Sequence, residues 1–276
     1  MTILTIAIPC YNCKSNILKI LKNILSLPPK FITIIISDNC STDNSLQIIK
    51  KFKLSNPEFH IKIYKQDFNI GAGKNFEFLL KKATTKYFLW IGSDDIVKNL
   101  DISLLDIFNL NKDAIGLSFN SFFIDKKQDH KIYDKGNCKV ISKFKIIRLA
   151  KYLYRPGVNS KFYSIFKTEI LKKSFCYNYC GKFAWDIIVV FNTLKYGSIE
   201  YTNKVKLVRQ FGISSDPIKL RKSLFNNKIN IFFPNLYPFF LILKDLKFFE
   251  KFVLFPFLFK YYLRLLISPV HHFLKR

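Results

Sequence analysis

Acidic residues are scarce in this chain of 276 residues: 19 Asp and Glu stand against 45 Lys and Arg, a formal net charge of +26. Such an excess calls for an anionic partner, such as nucleic acid, a lipid surface or a phosphate-bearing substrate. Nucleic acid is not expected, because neither zinc-finger spacing nor an RNA-recognition signature accompanies the charge. No run of about 20 apolar residues is present, which argues against a spanning helix. The amino terminus lacks a basic stretch and a small-residue cleavage site, so its apolar residues read as a first strand and the expected location is cytoplasmic. Internal repeats are also absent.

The cysteines at 10, 13, 40, 138, 176 and 180 leave a weak metal or redox signal. Cys10 and Cys13 have the spacing of a thioredoxin-like pair, yet a proline precedes the first cysteine rather than the second. Cys176 and Cys180 do not have zinc-ribbon spacing. Free thiols in a reducing compartment are the expectation.

Hydrophobic residues make up 49% of the chain, enough for one sizeable α/β domain with an appendage. Strands are expected at 3–8, 31–36, 61–64 and 87–91, with a helix after each of the first three. Ser15 is expected to cap the first helix and the prolines at 28 and 29 to stop it; the others should run to about Phe52 and over 74–83. Strands alternating with helices of this length imply βαβ units and a parallel sheet. Later strands are expected at 114–124, 161–166 and 199–207, with a helix over 184–194 and an irregular basic stretch from Lys126 to Tyr154. From Phe225 to Tyr262 the composition shifts to 14 aromatics broken by Pro234, Pro238 and Pro256. Phe248, Phe249, Phe252, Phe255 and Phe259 recur at helical spacing with Lys244, Lys247, Lys251 and Lys260 among them, a pattern suited to an anionic membrane interface. The alternative is a helical pair that covers the sheet or a dimer seam.

Asp94 and Asp95 close the apolar run 87–91, where open α/β sheets bind ligands. Adjacent carboxylates repel unless a cation neutralises them. Mg²⁺ is often held by one or two carboxylates plus substrate phosphates. The alternative is a helix cap opening at Ile96. Three further segments follow predicted strands: Pro9-Cys10-Tyr11-Asn12, the Ser37–Asp43 stretch with Asp38, Asn39 and Ser41, and Asn69 to Asn75 with Gly71, Gly73 and Lys74.

In order and placement these segments resemble glycosyltransferase family 2, whose members show P-x-Y-N, D-D-G-S-x-D, N-x-G and a D-x-D or x-D-D element. The resemblance covers residues 3–100 well and 101–212 loosely. It implies a GT-A fold: a Rossmann-like, mainly parallel central sheet flanked by helices, with a C-terminal helical, aromatic and basic appendage. Residues 1–215 would form that domain, with 1–100 the nucleotide-binding half and 101–215 the acceptor half, and 216–276 the appendage. It further implies a nucleotide-diphosphate sugar donor held by Pro9, Tyr11, Asn12, Asp38, Asn39, Ser41, Gly71, Lys74, Asp94 and Arg209. Asp38 would accept from a base N–H, Lys74 meet phosphate, and Asp94 and Asp95 hold a divalent metal, Mn²⁺ or Mg²⁺.

Asp186, at the start of the helix over 184–194, matches the place of the general base in members that invert the anomeric centre. The alternative role is a helix cap; Asp125, Asp129 and Asp134 are poorer candidates in a basic loop. The pattern departs from the family at Asn39, Gly92 and Trp185, where Asp, Asp and Glu are common, and Gln210-Phe211 replaces a frequent late histidine. The implied activity is sugar transfer to a lipid-linked acceptor in surface polysaccharide synthesis, by a cytoplasmic enzyme peripheral to the membrane. The rivals are a binding protein of the same fold without turnover, a nucleic-acid-binding protein, and a thiol oxidoreductase using Cys10 and Cys13.

Overall fold

The computed structural model describes residues 2–125, 130–157, 159–182, 184–210 and 237–273. Among these, nine strands form one sheet: β1 (Leu4–Cys10), β2 (Ile32–Asp38), β3 (His60–Lys65), β4 (Tyr87–Trp90), β5 (Ile96–Lys98), β6 (Ala114–Asp125), β7 (His130–Tyr133), β8 (Ile165–Lys167) and β9 (Ser198–Gln210). The order is β3-β2-β1-β4-β8-β6-β9-β5, with β7 beside β6. β3, β2, β1 and β4 are parallel. β8 runs antiparallel to both β4 and β6, and β6 and β9 pair in parallel.

Helices α1 (Ile17–Ile24), α2 (Ser45–Leu54) and α3 (Ala72–Lys82) cross over between the parallel strands. β1, β2 and β4 are buried on both faces, which explains their apolar runs, whereas β3 is the exposed edge. Leu4, Ile6 and Ile8 join one core cluster with Ile34, Ile36 and Leu89, while Ala7, Ile35, Phe88 and Trp90 face the other. The register sets Cys10 beside Asp38 and Ala7 beside Trp90. The ends of β1, β2 and β4 therefore meet along one edge.

The second half carries α4 (Ile107–Leu110), α5 (Lys145–Tyr154), α6 (Thr168–Ser174) and α7 (Trp185–Thr193). An aromatic cluster joins the halves: Trp90 stacks on Phe162 at 4.6 Å, and Trp185 meets Phe76, Phe162 and Phe175 edge-on. Gly73, in the first turn of α3, abuts Gly181; a Cβ there would lie 2.2 Å from the Gly181 Cα. The two backbones can approach this closely only because neither residue carries a side chain.

Several expectations change. Cys10 and Cys13 are joined in a disulfide rather than free; they sit at the end of β1 and in the turn after it, close enough to bridge. Ser15 does not cap α1, which starts at Ile17 after Asn16. The stretch 126–154 holds β7 and α5, whose signals were diluted by its lysines. The strand expected over 161–166 is a 3₁₀ turn (Ser160–Tyr163) followed by the short β8, because backbone bonds from Phe162 and Ser164 turn back to Asn159 and Lys161. Ile96 opens β5, not a helix.

The appendage is helical where described, as α8 (Tyr237–Lys244) and α9 (Phe248–Phe273). Residues 216–236 lie outside the described residues. Leu254 and Leu258 are buried in the core cluster that α5 and α7 share, and Lys145 pairs with Glu250. The other side of α9 is open, with Phe248 88% exposed and Phe249, Phe252, Phe255 and Phe259 exposed too. No described helix is long and apolar enough to cross a membrane.

Candidate active site

The shared edge of β1, β2 and β4 opens on a cleft of about 400 Å³. Pro9, Tyr11, Asn12, Asn39 and Asp94 line it, joined by Asn69, Asn75, Ser93 and Tyr163. Its wall is stitched by hydrogen bonds between the turn after β1 and the loop after β2. The N–H groups of Asn12, Cys13 and Lys14 donate to Ser41 Oγ (3.0 Å), Ser45 Oγ (2.8 Å) and Asp43 Oδ2 (3.2 Å). The Thr42 N–H returns a bond to Asn12 Oδ1 at 2.9 Å. Asn12 sits at φ 48°, a left-handed conformation that asparagine tolerates. Tyr11 stands out from this turn, 47% exposed.

Asp38 is fully buried behind the cleft. Its Oδ2 accepts from the Ser41 N–H at 3.2 Å, and its Oδ1 has no partner among the described residues. A buried acceptor without a donor is costly, and a ligand N–H would satisfy it. Asn39 donates to Asn69 Oδ1 at 2.8 Å and accepts from the Ile70 N–H at 2.9 Å, so it ties the loop before α3 to β2. Asn69 Oδ1 also accepts from the Gly71 N–H at 2.9 Å. Lys74 turns away from the cleft: its Nζ lies 2.7 Å from Glu77 and 3.3 Å from the Tyr177 carbonyl. Asn75, which closes the predicted segment without a role assigned to it, donates to the Ser37 carbonyl and leaves a buried Oδ1 without a partner among the described residues at the cleft wall. Its sequence signal is its place directly after Lys74 in the first turn of α3.

Asp94 lies at the cleft rim and Asp95 beneath it, 2% exposed. A Cβ on Gly92 would come within 2.7 Å of Asp95 Oδ2 and 3.1 Å of Asp94 Oδ1, so both oxygens border the space the glycine leaves open. Asp95 Oδ2 is buried without a partner among the described residues, while Oδ1 faces Arg209 Nε at 3.6 Å, an ion pair too long for a hydrogen bond. Burial pushes the Asp95 carboxyl up to about 7; Arg209 opposes that rise and Asp94 adds to it. Among the described residues no group of three or more His, Cys, Asp and Glu side chains gathers where a metal could sit.

Arg209 links the two halves. Its guanidinium lies over the rings of Tyr163 (4.5 Å) and Phe123 (4.9 Å), beside Asp95 and near Ser160 Oγ at 3.5 Å. Asp186, in the first turn of α7, is partly exposed outside the cleft wall and accepts from Asn159 Nδ2 at 2.9 Å. Burial raises its pKa, opposed by the Asn159 bond and by Arg209. Trp185 beside it is bound into the aromatic cluster, which accounts for an apolar residue there.

A parallel half-sheet with polar residues at its strand ends, joined to a mixed half-sheet carrying a half-buried arginine and flanked by helices, has the GT-A architecture. Residues 5–175 match the profile of Glycosyl transferase family 2, and the chain belongs to that family. It is 32% identical over 126 residues to the UDP-Glc:alpha-D-GlcNAc-diphosphoundecaprenol beta-1,3-glucosyltransferase WfaP of Escherichia coli, across 46% of this chain and 48% of that protein. The chain thus matches about half the length of this relative. Its fold is similar to that of Staphylococcus aureus TarS in complex with UDP-GlcNAc (TM-score 0.66, 17% identity, 97% of this chain and 73% of that one). It is also similar to the mannosyltransferase PcManGT of Pyrobaculum calidifontis in complex with GDP-Man and Mn²⁺ (TM-score 0.52, 14% identity, 94% and 73%).

Proposed function

We propose that the chain is an inverting glycosyltransferase that moves a sugar from a nucleotide-diphosphate donor to an acceptor hydroxyl. The observation that carries this reading is that one sheet edge bears, at the end of β2, Asp38 with an Oδ1 that has no partner among the described residues and, after β4, the Asp94–Asp95 pair. In this reading Asp38 accepts a base N–H, which gives base selectivity, and Tyr11 lies along the base or ribose. Pro9, Asn12, Asn39, Ser41 and Gly71 shape the wall that receives the nucleotide. Lys74 reaches the diphosphate only by leaving Glu77, and Arg209 fixes Asp95 from behind.

The residues fit a divalent cation that the donor's phosphates complete. Two carboxylates, one with an orphaned oxygen, border a space that a Cβ would fill, and Mg²⁺ or Mn²⁺ sites of this kind take few protein ligands. Asp94 and Asp95 would hold the ion, which neutralises charge growing on the departing nucleoside diphosphate. Asp186 takes the acceptor proton as the hydroxyl attacks in line, from the face opposite the leaving group. Its raised pKa makes it a stronger base than an exposed aspartate.

The acceptor fits a lipid-linked saccharide in surface polysaccharide assembly, with the enzyme on the cytoplasmic side of the membrane. The open phenylalanine face of α9, with its interleaved lysines, suits peripheral contact with anionic lipid. A thermal-shift panel of sugar nucleotides with and without Mn²⁺ tests the donor reading, since a ligand of the folded state raises the Tm. Nuclear magnetic resonance of the product linkage tests inversion. Identical melting with every nucleotide, or retained anomeric configuration, defeats the corresponding part.

A further inference from the structure

The carboxylate assigned as base is held by a residue that no motif singles out. Asn159 precedes the Ser160–Tyr163 turn in the left-handed region (φ 56°, ψ 35°), where asparagine is favoured over most side chains. It is 2% exposed, and both ends of its amide are engaged. Nδ2 donates to Asp186 Oδ2 at 2.9 Å, and Oδ1 accepts from the Tyr152 hydroxyl at 2.6 Å. Chemistry fixes this orientation: an ionised carboxylate only accepts, so the amide nitrogen must face it, and the phenol proton then meets the amide oxygen. Tyr152 is itself fully buried on α5 and cannot swing away. The next residue, Ser160, touches Arg209, the partner of Asp95.

We propose that Asn159 is a positioning residue for Asp186: the relay Tyr152–Asn159–Asp186, buried at its first two members, orients the carboxylate toward the acceptor hydroxyl. The inference rests on the reading of Asp186 as the base. Arg209 from β9 and the Asn159 amide favour the ionised carboxylate against its burial. The other titratable groups near it are Tyr152 on α5, Tyr163 on the turn and Cys176 before α7. Burial raises the pKa of each, so all three stay neutral through the working range. A relay of this kind therefore shows itself in the acid limb of the rate profile, where Asp186 takes up its proton.

The test measures kcat and donor KM against pH for the full chain, Asn159→Asp, Tyr152→Phe and Asp186→Asn, with Mn²⁺ present and folding checked by melting. Asn159→Asp keeps size and tolerance of the left-handed backbone but replaces a donor with a like charge. It is expected to move the acid limb of kcat upward, with about a tenfold loss of rate on that limb per pH unit of displacement and little change in donor KM. Tyr152→Phe should move the limb the same way by less, and carries the test alone if Asn159→Asp does not fold. An unmoved limb in a folded Asn159→Asp, or a limb unmoved in Tyr152→Phe, overturns the relay. Should Asp186→Asn be inactive while Asn159→Asp keeps the wild-type profile, only the relay falls. Wild-type turnover in Asp186→Asn removes the base assignment and the relay with it.

Discussion

The two halves of the sheet build their parts of the site by different means. In the parallel half, the polar side chains sit at or just after strand ends and bond mostly to backbone groups of adjacent loops: Asn12 Oδ1 and the Thr42 N–H, Ser41 Oγ and the Asn12 N–H, Asn39 Oδ1 and the Ile70 N–H, Asp38 Oδ2 and the Ser41 N–H. In the mixed half, the important groups are held mainly by other side chains: Asp186 by Asn159, Asn159 by Tyr152, Arg209 by Ser160 and Tyr163. Backbone stitching between neighbouring loops builds the receptor wall of the first half. Side-chain to side-chain contacts make the second half sensitive to single substitutions, and it meets the first at Arg209, the aromatic cluster and the Gly73–Gly181 contact, among others.

Substitutions sharpen that contrast. The largest effect is expected from Asp95→Ala and Asp186→Asn. Each should lower turnover by about 10²–10⁴-fold with melting preserved, in line with loss of charge stabilisation or of a general base. Wild-type rates in both variants would break the division of labour. Trp90→Ala, which empties the seam between the halves, should cost about 3–5 kcal/mol of stability in denaturant titration. Gly73→Ala forces a methyl against the Gly181 backbone and should cost about 1–3 kcal/mol, read the same way. If neither loses stability, the halves are not coupled through these contacts.

The acid pair gives a pH signature. The Asp95 carboxyl titrates in the fold at about 7 against an ordinary 3.8, so the fold binds its proton more tightly than the unfolded chain does. The stability this group contributes is present at low pH and is lost as pH rises from the ordinary value through about 7. Mn²⁺ needs the ionised form, so its affinity, followed by calorimetry without donor, should climb as pH approaches 7 and level off above it. Flat affinity across that range would separate Asp95 from the ion. The smallest effect belongs to the stitched wall. Ser41→Ala removes one bond to the Asn12 N–H, worth about 0.5–1.5 kcal/mol, and should raise donor KM a few-fold with kcat unchanged.

The same contrast governs what the sequence discloses. Unbroken apolar runs announced β1, β2 and β4, and the polar residues ending them line the cleft because strand ends are fixed by local pattern. Asp186 could be placed at a helix start for the same reason. Asn159 and Tyr163 could not, since their roles depend on a 3₁₀ turn that brings them to α7 and β9, and no local spacing encodes that approach. α5 and β7 were hidden because the lysines in and beside them dilute the apolar pattern. The Cys10–Cys13 disulfide was hidden because its spacing also fits free thiols. The orientation of Lys74 toward Glu77 was equally out of reach, because spacing does not say which of two anions a lysine chooses.

The most direct test compares nucleotide-sugar binding and transfer in Asp95→Ala and Asp186→Asn side by side. Calorimetry with UDP- and other sugar nucleotides in Mn²⁺ gives the first quantity, and product formation on a polyprenyl-diphosphate-linked saccharide gives the second. The account predicts that Asp95→Ala loses metal-dependent binding, while Asp186→Asn binds donor as the wild type does and fails to transfer. Metal-dependent binding that survives intact in Asp95→Ala, or transfer that survives in Asp186→Asn, would contradict it.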